Sequence, residues 1–169
     1  MSFSSMTRLM LCTALTVALT ACSAETTLKR LADKFPQRKA EFNELKELML
    51  SLSGSAKDFR LLSAELARGS EDFVDFFGKE GQIPVTEALE RTFSSRREQL
   101  MRVQAIVHDA RVDYVSVDKE RIAVWVTLKG GGVLGSDMGY LYAGKGDIGA
   151  FHLSRVLSIP NERNWYAFD

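Results

Sequence analysis

The hydrophobic period of this chain changes once, near Ala110, and that change limits the folds open to it. Before it, apolar residues recur at spacings of three, four and seven; after it, they alternate. Leu28, Phe35, Phe42 and Met49 share one position of a seven-residue rhythm. Leu31, Leu45 and Leu52 fall three residues later, with Arg38 the exception. Residues so spaced form one stripe on a helix. Pro36 cannot follow an interior turn without a kink. The pattern therefore predicts a short helix and then a main one with Pro36 in its first turn, ending at Ser53-Gly54. Heptads this few, with a proline among them, suit a helix packed on a sheet better than a coiled coil.

The next segments are weaker. Phe59, Leu62 and Leu66 suggest a second helix over Ala56 to Ala67, with a strand through Phe59 to Leu62 as the competing reading. Glu71 to Phe77 mixes acids with aromatics and reads as another helical turn. Its Phe73, Phe76 and Phe77 are expected in the core, the alternative being an acidic-aromatic binding ridge. Pro84 to Asp109 reads as the best helix, capped by Thr86, with Glu87 and Glu90 near its N-terminus. Leu89, Phe93, Leu100, Val103 and Val107 form its inner face. Arg91, Arg96, Arg97, Glu98 and Arg102 are expected on a solvated face.

Beyond Ala110, Ile122, Val124, Val126 and Leu128 alternate with Ala123, Trp125 and Thr127. Val112 to Val117 precedes them across Asp118-Lys119-Glu120, which predicts a hairpin. Further strands are expected at Gly139 to Ala143, Phe151 to Ile159 and Trp165 to Phe168. Helices first and strands afterwards indicate an α+β fold. N-terminal helices (28–109) would pack on a C-terminal antiparallel β-meander of about five strands (112–169), in one domain spanning 28–169.

The first thirty residues follow a different logic. Leu9 to Ala21 is an uncharged run of thirteen residues preceded by Arg8. A bilayer core needs roughly 20 apolar residues in a helix, so the run is short for a permanent span. A basic residue, an apolar run and then small residues form the layout of a secretory signal. Its end, Leu19-Thr20-Ala21-Cys22, resembles the lipobox of bacterial lipoproteins. The resemblance implies a diacylglycerol thioether on Cys22, cleavage after Ala21 and an acyl chain on the new amino terminus. Residues 1–21 would be the signal peptide and 22–27 the acylated N-terminus with a short tether. Cys12, preceded by bulky Met10 and Leu11, would leave with the signal. Translation from Met6 instead of Met1 would leave the mature protein unchanged. Two or three chains on Cys22 would make attachment effectively permanent. Ser23 stands where an Asp would resemble an inner-membrane retention signal. The resemblance therefore points to the outer membrane, facing the periplasm.

Cleavage would leave 148 residues, with 21 basic against 22 acidic. That is enough for one core. The balance gives no reason to expect nucleic acid or a polybasic membrane patch. With no cysteine beyond Cys22, the mature chain has neither disulfides nor thiol chemistry. No cofactor is expected beyond the covalent lipid, and no metal.

The most unusual stretch of the mature chain runs from Gly130 to Gly139. Gly131, Gly132, Gly135, Ser136, Asp137 and Gly139 form the candidate binding loop, because glycine-rich backbone can present N–H groups to an anion. It lacks the spacing and terminal Lys-Ser/Thr of a P-loop, and a strand follows it. A hairpin loop with positive-φ glycines is the plainer reading. Ser136, Asp137 and His152 are the residue types of a hydrolytic triad, but no nucleophile elbow surrounds Ser136. His108 is expected at a helix end. Tyr140, Tyr142, Trp125 and Trp165 could line a groove for glycan or peptide. No pair of carboxylates is marked as a glycosidase site. The resulting expectation is a non-catalytic, lipid-anchored module that binds a protein partner, as an immunity-type inhibitor or an accessory subunit. The alternative is a hydrolase of peptidoglycan or lipid.

Overall fold

The computed structural model describes residues 3–54, 58–64, 70–77, 81–128 and 137–169, with side chains from Glu25 onward. The fold is α+β, with helices on one face of an eight-stranded antiparallel sheet. Helix α1 (Phe3–Ser53) is followed by β1 (Phe59–Leu62), β2 (Phe73–Phe76) and β3 (Gly81–Pro84). Helices α2 (Val85–Arg91) and α3 (Arg97–Asp109) precede β4 (Val112–Asp118), β5 (Ala123–Leu128) and β6 (Gly139–Ala143). β7 (Val156–Ser158) and β8 (Trp165–Phe168) complete the chain. The spatial order is β3-β2-β1-β4-β5-β6-β8-β7.

The seven-residue rhythm of α1 is its buried stripe. Leu28, Leu31, Phe35, Phe42, Leu45, Met49 and Leu52 are all at most 7% exposed. Arg38 breaks the rhythm for a local reason. Its guanidinium reaches the carbonyl of Asp109 at the end of α3 (3.2 Å), where a cation meets the negative end of the helix dipole. Pro36 does not divide α1 as expected; one helix runs through it. The missing N–H and the ring clash cost about 3 kcal/mol. Leu31, Ala32 and Phe35 before the proline and Phe42 and Leu45 after it are buried. Each large apolar side chain so buried contributes about 1.5–3 kcal/mol, which outweighs the break. The Tyr140 hydroxyl also donates to the Leu31 carbonyl (2.9 Å). α1 ends where expected, with Ser53 Oγ donating to the Leu50 carbonyl (2.8 Å) and Arg96 donating to the Ser51 carbonyl.

Three departures enlarge and reorder the sheet. First, 28–109 is not all helical, since β1, β2 and β3 lie within it and raise the strand count from five to eight. The competing strand reading of Phe59 to Leu62 is the correct one. Arg60 and Asp75 face each other in the β1–β2 register, a cross-strand pairing that a helical reading cannot use. Second, the long helix expected over Pro84 to Asp109 is two helices, separated by a 3₁₀ turn at Ser94–Arg96. Ser94 and Ser95 compete with the helix backbone. Phe93 meanwhile drops into the core against Phe59 (5.3 Å between ring centroids) and Phe76 (6.1 Å). Thr86 does not cap α2; Pro84 precedes it, and the Thr86 hydroxyl bonds Glu71 (3.1 Å). Third, the strand expected at Phe151 to Ile159 is only Val156–Ser158, because a 3₁₀ turn and a left-handed His152 (φ 48°) occupy its start. β8 lies between β6 and β7, so the meander breaks at its end.

The two faces of the sheet are covered differently. Phe35, Phe42, Tyr140 and Trp165 form an aromatic core between α1 and the sheet, with centroids 5.0–5.8 Å apart. The opposite face has a small cluster of Ala123, Leu141, Ala143 and Phe168, covered by Trp125, Phe151, Leu153 and Tyr166. Over β1, β2 and β4 the same face carries half-buried Arg60, Phe73, Asp75, Tyr114 and Ser116 around a buried Leu62. That open half positions the candidate site.

Candidate functional site

Alternation places Arg60, Asp75, Tyr114 and Ser116 on the face turned away from the helices, with Phe77 just beyond the end of β2. Arg60 is the centre of the group. Its Nε and Nη2 meet Asp75 Oδ2 at 2.8 and 2.7 Å. Its guanidinium lies 5.5 Å from the centroid of Phe77 and 5.9 Å from that of Tyr114, inside cation–π range. The Tyr114 hydroxyl donates to Asp137 Oδ2 (2.7 Å). Burial pushes that hydroxyl's pKa up and the Asp137 carboxylate adds to the rise, while the Thr127 hydroxyl offsets part of it. Tyr114 therefore remains a donor at neutral pH.

The result is a ladder, Phe77–Arg60–Tyr114–Asp137, along the open face. Phe77 is 48% exposed, whereas Phe76, the next residue back, is 4% exposed on the helix side. Of the three phenylalanines expected in the core here, Phe76 is buried, Phe73 is half-buried and Phe77 faces water. Arginine and tyrosine are enriched among residues that dominate protein interfaces. An arginine already held between two rings and an acid loses little freedom on contact. The arrangement suits binding.

Other expected sites are dispersed. Gly131, Gly132, Gly135 and Ser136 lie outside the described residues. Asp137 is exposed and joins the ladder. Gly139 has a structural reason, because a Cβ there would lie 1.9 Å from the Val126 carbonyl oxygen. His152 is exposed in its left-handed turn, so nothing here joins it to Asp137 as a triad. The proposed aromatic groove does not form. Tyr140 and Trp165 pack under α1, while Trp125 packs on the other face against Phe151 and Phe168. The arginines of the second helical region are partly used in packing. Arg102 makes a two-pronged pair with Glu44 of α1 (2.7 Å each), holding that carboxyl below the usual range. Cys22 lies within α1.

Asp72 is a buried acid that the sequence did not mark. It is 2% exposed and accepts three hydrogen bonds of 2.8 Å, from the Ala64 N–H, Gln104 Nε2 and His108 Nε2. Gln104 and His108 are four residues apart on α3 and so share a face. The cluster ties the β1–β2 connection to α3. Two described depressions lie elsewhere. One, of about 620 Å³, is lined by Ser51 and Ser94–Gln99; the other, of about 210 Å³, lies between Arg121, Lys145, Asp147 and Phe151. Among the described residues no cluster of three or more metal-ligating side chains occurs. Among them, too, no helix is long and apolar enough to cross a membrane. No known protein family, curated protein or solved structure matches this chain.

Proposed function

We propose that this chain is a bacterial envelope lipoprotein, anchored through acylated Cys22 at the periplasmic face of the outer membrane. Its folded part is a non-catalytic module that binds a protein partner, as an immunity-type inhibitor or an accessory subunit of an envelope assembly. The binding half of this reading is carried by the Phe77–Arg60–Tyr114 ladder, an open surface whose side chains are fixed in advance. The anchoring half is supported by Leu19-Thr20-Ala21-Cys22 at the end of an apolar run. The test is fractionation and intact-mass measurement of the protein from its host. Wild type is expected in the membrane fraction with two or three acyl chains, and Cys22→Ala in the soluble fraction or unprocessed. A Cys22→Ala protein with unchanged mass pattern and membrane recovery removes the anchor. Turnover of muropeptides by the purified protein removes the non-catalytic reading.

A further inference from the structure

The two edges of the sheet, β3 and β7, are not alike. In an antiparallel ladder alternate residues bond the neighbouring strand, and those between them turn their N–H and C=O the other way. At the β3 edge the Val85 N–H bonds the Asp72 carbonyl (3.0 Å), so the outward residues of β3 are Gln82 and Pro84. Proline has no N–H to offer, and natural sheets blunt exposed edges in this way.

β7 has no such guard. The Ile159 N–H bonds the Trp165 carbonyl (3.1 Å), and the Asp169 N–H bonds the Arg155 carbonyl (3.4 Å). That phase makes Leu157 the residue bonded to Ala167, and it turns the N–H and C=O of Val156 and Ser158 out of the sheet. No described residue bonds those groups from the outer side. Val156 and Leu157 are 37% and 39% exposed, and Ser158 is exposed beside them. Arg155, the nearest charge, is drawn back onto Asp169 (3.6 Å). An open edge with apolar side chains on both faces is a template for another strand.

We infer that β7 pairs antiparallel with β7 of a second copy of this chain, giving a twofold dimer with one continuous sheet. The outward groups are self-complementary. With Leu157 on the axis facing its counterpart, Val156 of each copy lies opposite Ser158 of the other. Each outward N–H of these residues then meets an outward C=O. Arg155 falls opposite Ile159, so no like charges meet across the axis. The twofold keeps the helices of both copies on one face, where the Leu157 side chains cover each other. β7 is at the opposite edge of the sheet from the β1–β2 end that carries the Arg60 ladder, so this pairing is independent of the binding reading above.

The test is disulfide trapping with the full chain purified in detergent. A cysteine replacing Leu157 would face its counterpart with Cα atoms about 4.5 Å apart, within disulfide range. A cysteine replacing Val156 would be two residues out of register with its counterpart, about 7–8 Å away. Met101, 49% exposed on α3, is the surface control. Under mild oxidation Leu157→Cys should form a covalent dimer at least about tenfold faster than Val156→Cys, Met101→Cys or wild type. In sedimentation, Ser158→Pro should weaken dimerisation at least about tenfold, because it removes one outward N–H from each copy. Its circular dichroism spectrum should match wild type, since that N–H bonds nothing within the chain. A changed spectrum would mean that the N–H points inward, and would overturn the inference. So would a wild type that sediments only as monomer, or equal trapping at positions 101, 156 and 157. In host envelopes, a Leu157→Cys adduct to a different protein in place of the self-dimer would overturn it in favour of a partner's strand.

Discussion

The two faces of one sheet show how this chain divides its work. On the helix side, Phe35, Phe59 and Phe93 are fully buried, and Tyr140 spends its hydroxyl on a helix carbonyl. On the other side, the half over β5, β6 and β8 is closed by Trp125 and Phe151. The half over β1, β2 and β4 is left to Arg60, Asp75 and Tyr114. A covered face draws its stability from excluded water. An open face gives little stability and keeps its aromatic and charged groups available. The neighbouring residues Phe76 and Phe77, turned to opposite faces, are the smallest form of this contrast.

The comparison can be broken most severely on the covered face. Phe35→Ala should cost about 3–5 kcal/mol, read from the midpoint of urea unfolding, because its ring touches three others across the helix–sheet interface. Phe77→Ala should change the same midpoint by less than about 0.5 kcal/mol. Equal costs would mean that the open face is core. Asp72→Ala should cost about 3 kcal/mol, since three inward donors lose their acceptor together. Hydrogen exchange should locate the loosening at Ser63, Ala64 and the end of α3.

Tyr140→Phe sharpens the contrast through pH. Burial pushes the Tyr140 pKa up to about 12, above its unfolded value near 10. The folded state therefore prefers the protonated hydroxyl. Its stabilising effect is complete below about pH 10 and is lost as pH rises through about 12. The variant should lose about 1 kcal/mol at neutral pH and show a shallower fall in stability between pH 10 and 12. Arg60→Ala should likewise change stability little, by less than about 1 kcal/mol, because its side chain is 33% exposed and its ion pair is partly screened by water. A larger loss would make the ladder a structural element.

The helix stripe was legible because seven apolar side chains repeat at a local spacing, and the period change after Ala110 located β4, β5 and β6. The strand at Phe59–Leu62 was only the competing reading, and Phe73–Phe76 was misread as a helical turn, because four residues show too few repeats to separate period two from period 3.6. The cross-strand partners that settle them lie fifteen residues apart, as Arg60 and Asp75 do. The insertion of β8 between β6 and β7 has no local signal. Of the ladder, Asp137 stood in the candidate loop and Phe77 in the alternative reading of Glu71 to Phe77 as a binding ridge. Arg60, Phe77 and Tyr114 come from three separate segments and meet only through sheet register. The two serines before Arg96 did signal a break, but the apolar period continued across them and hid it.

The central claim is that the open half of the sheet binds a protein and contributes little to stability. The most direct measurement is quantitative affinity capture from host envelopes with the acylated protein and its Arg60→Ala/Phe77→Ala variant. The account predicts that a stoichiometric partner recovered with wild type falls at least about tenfold with the variant. The same partner recovered in equal amount by both proteins would contradict it.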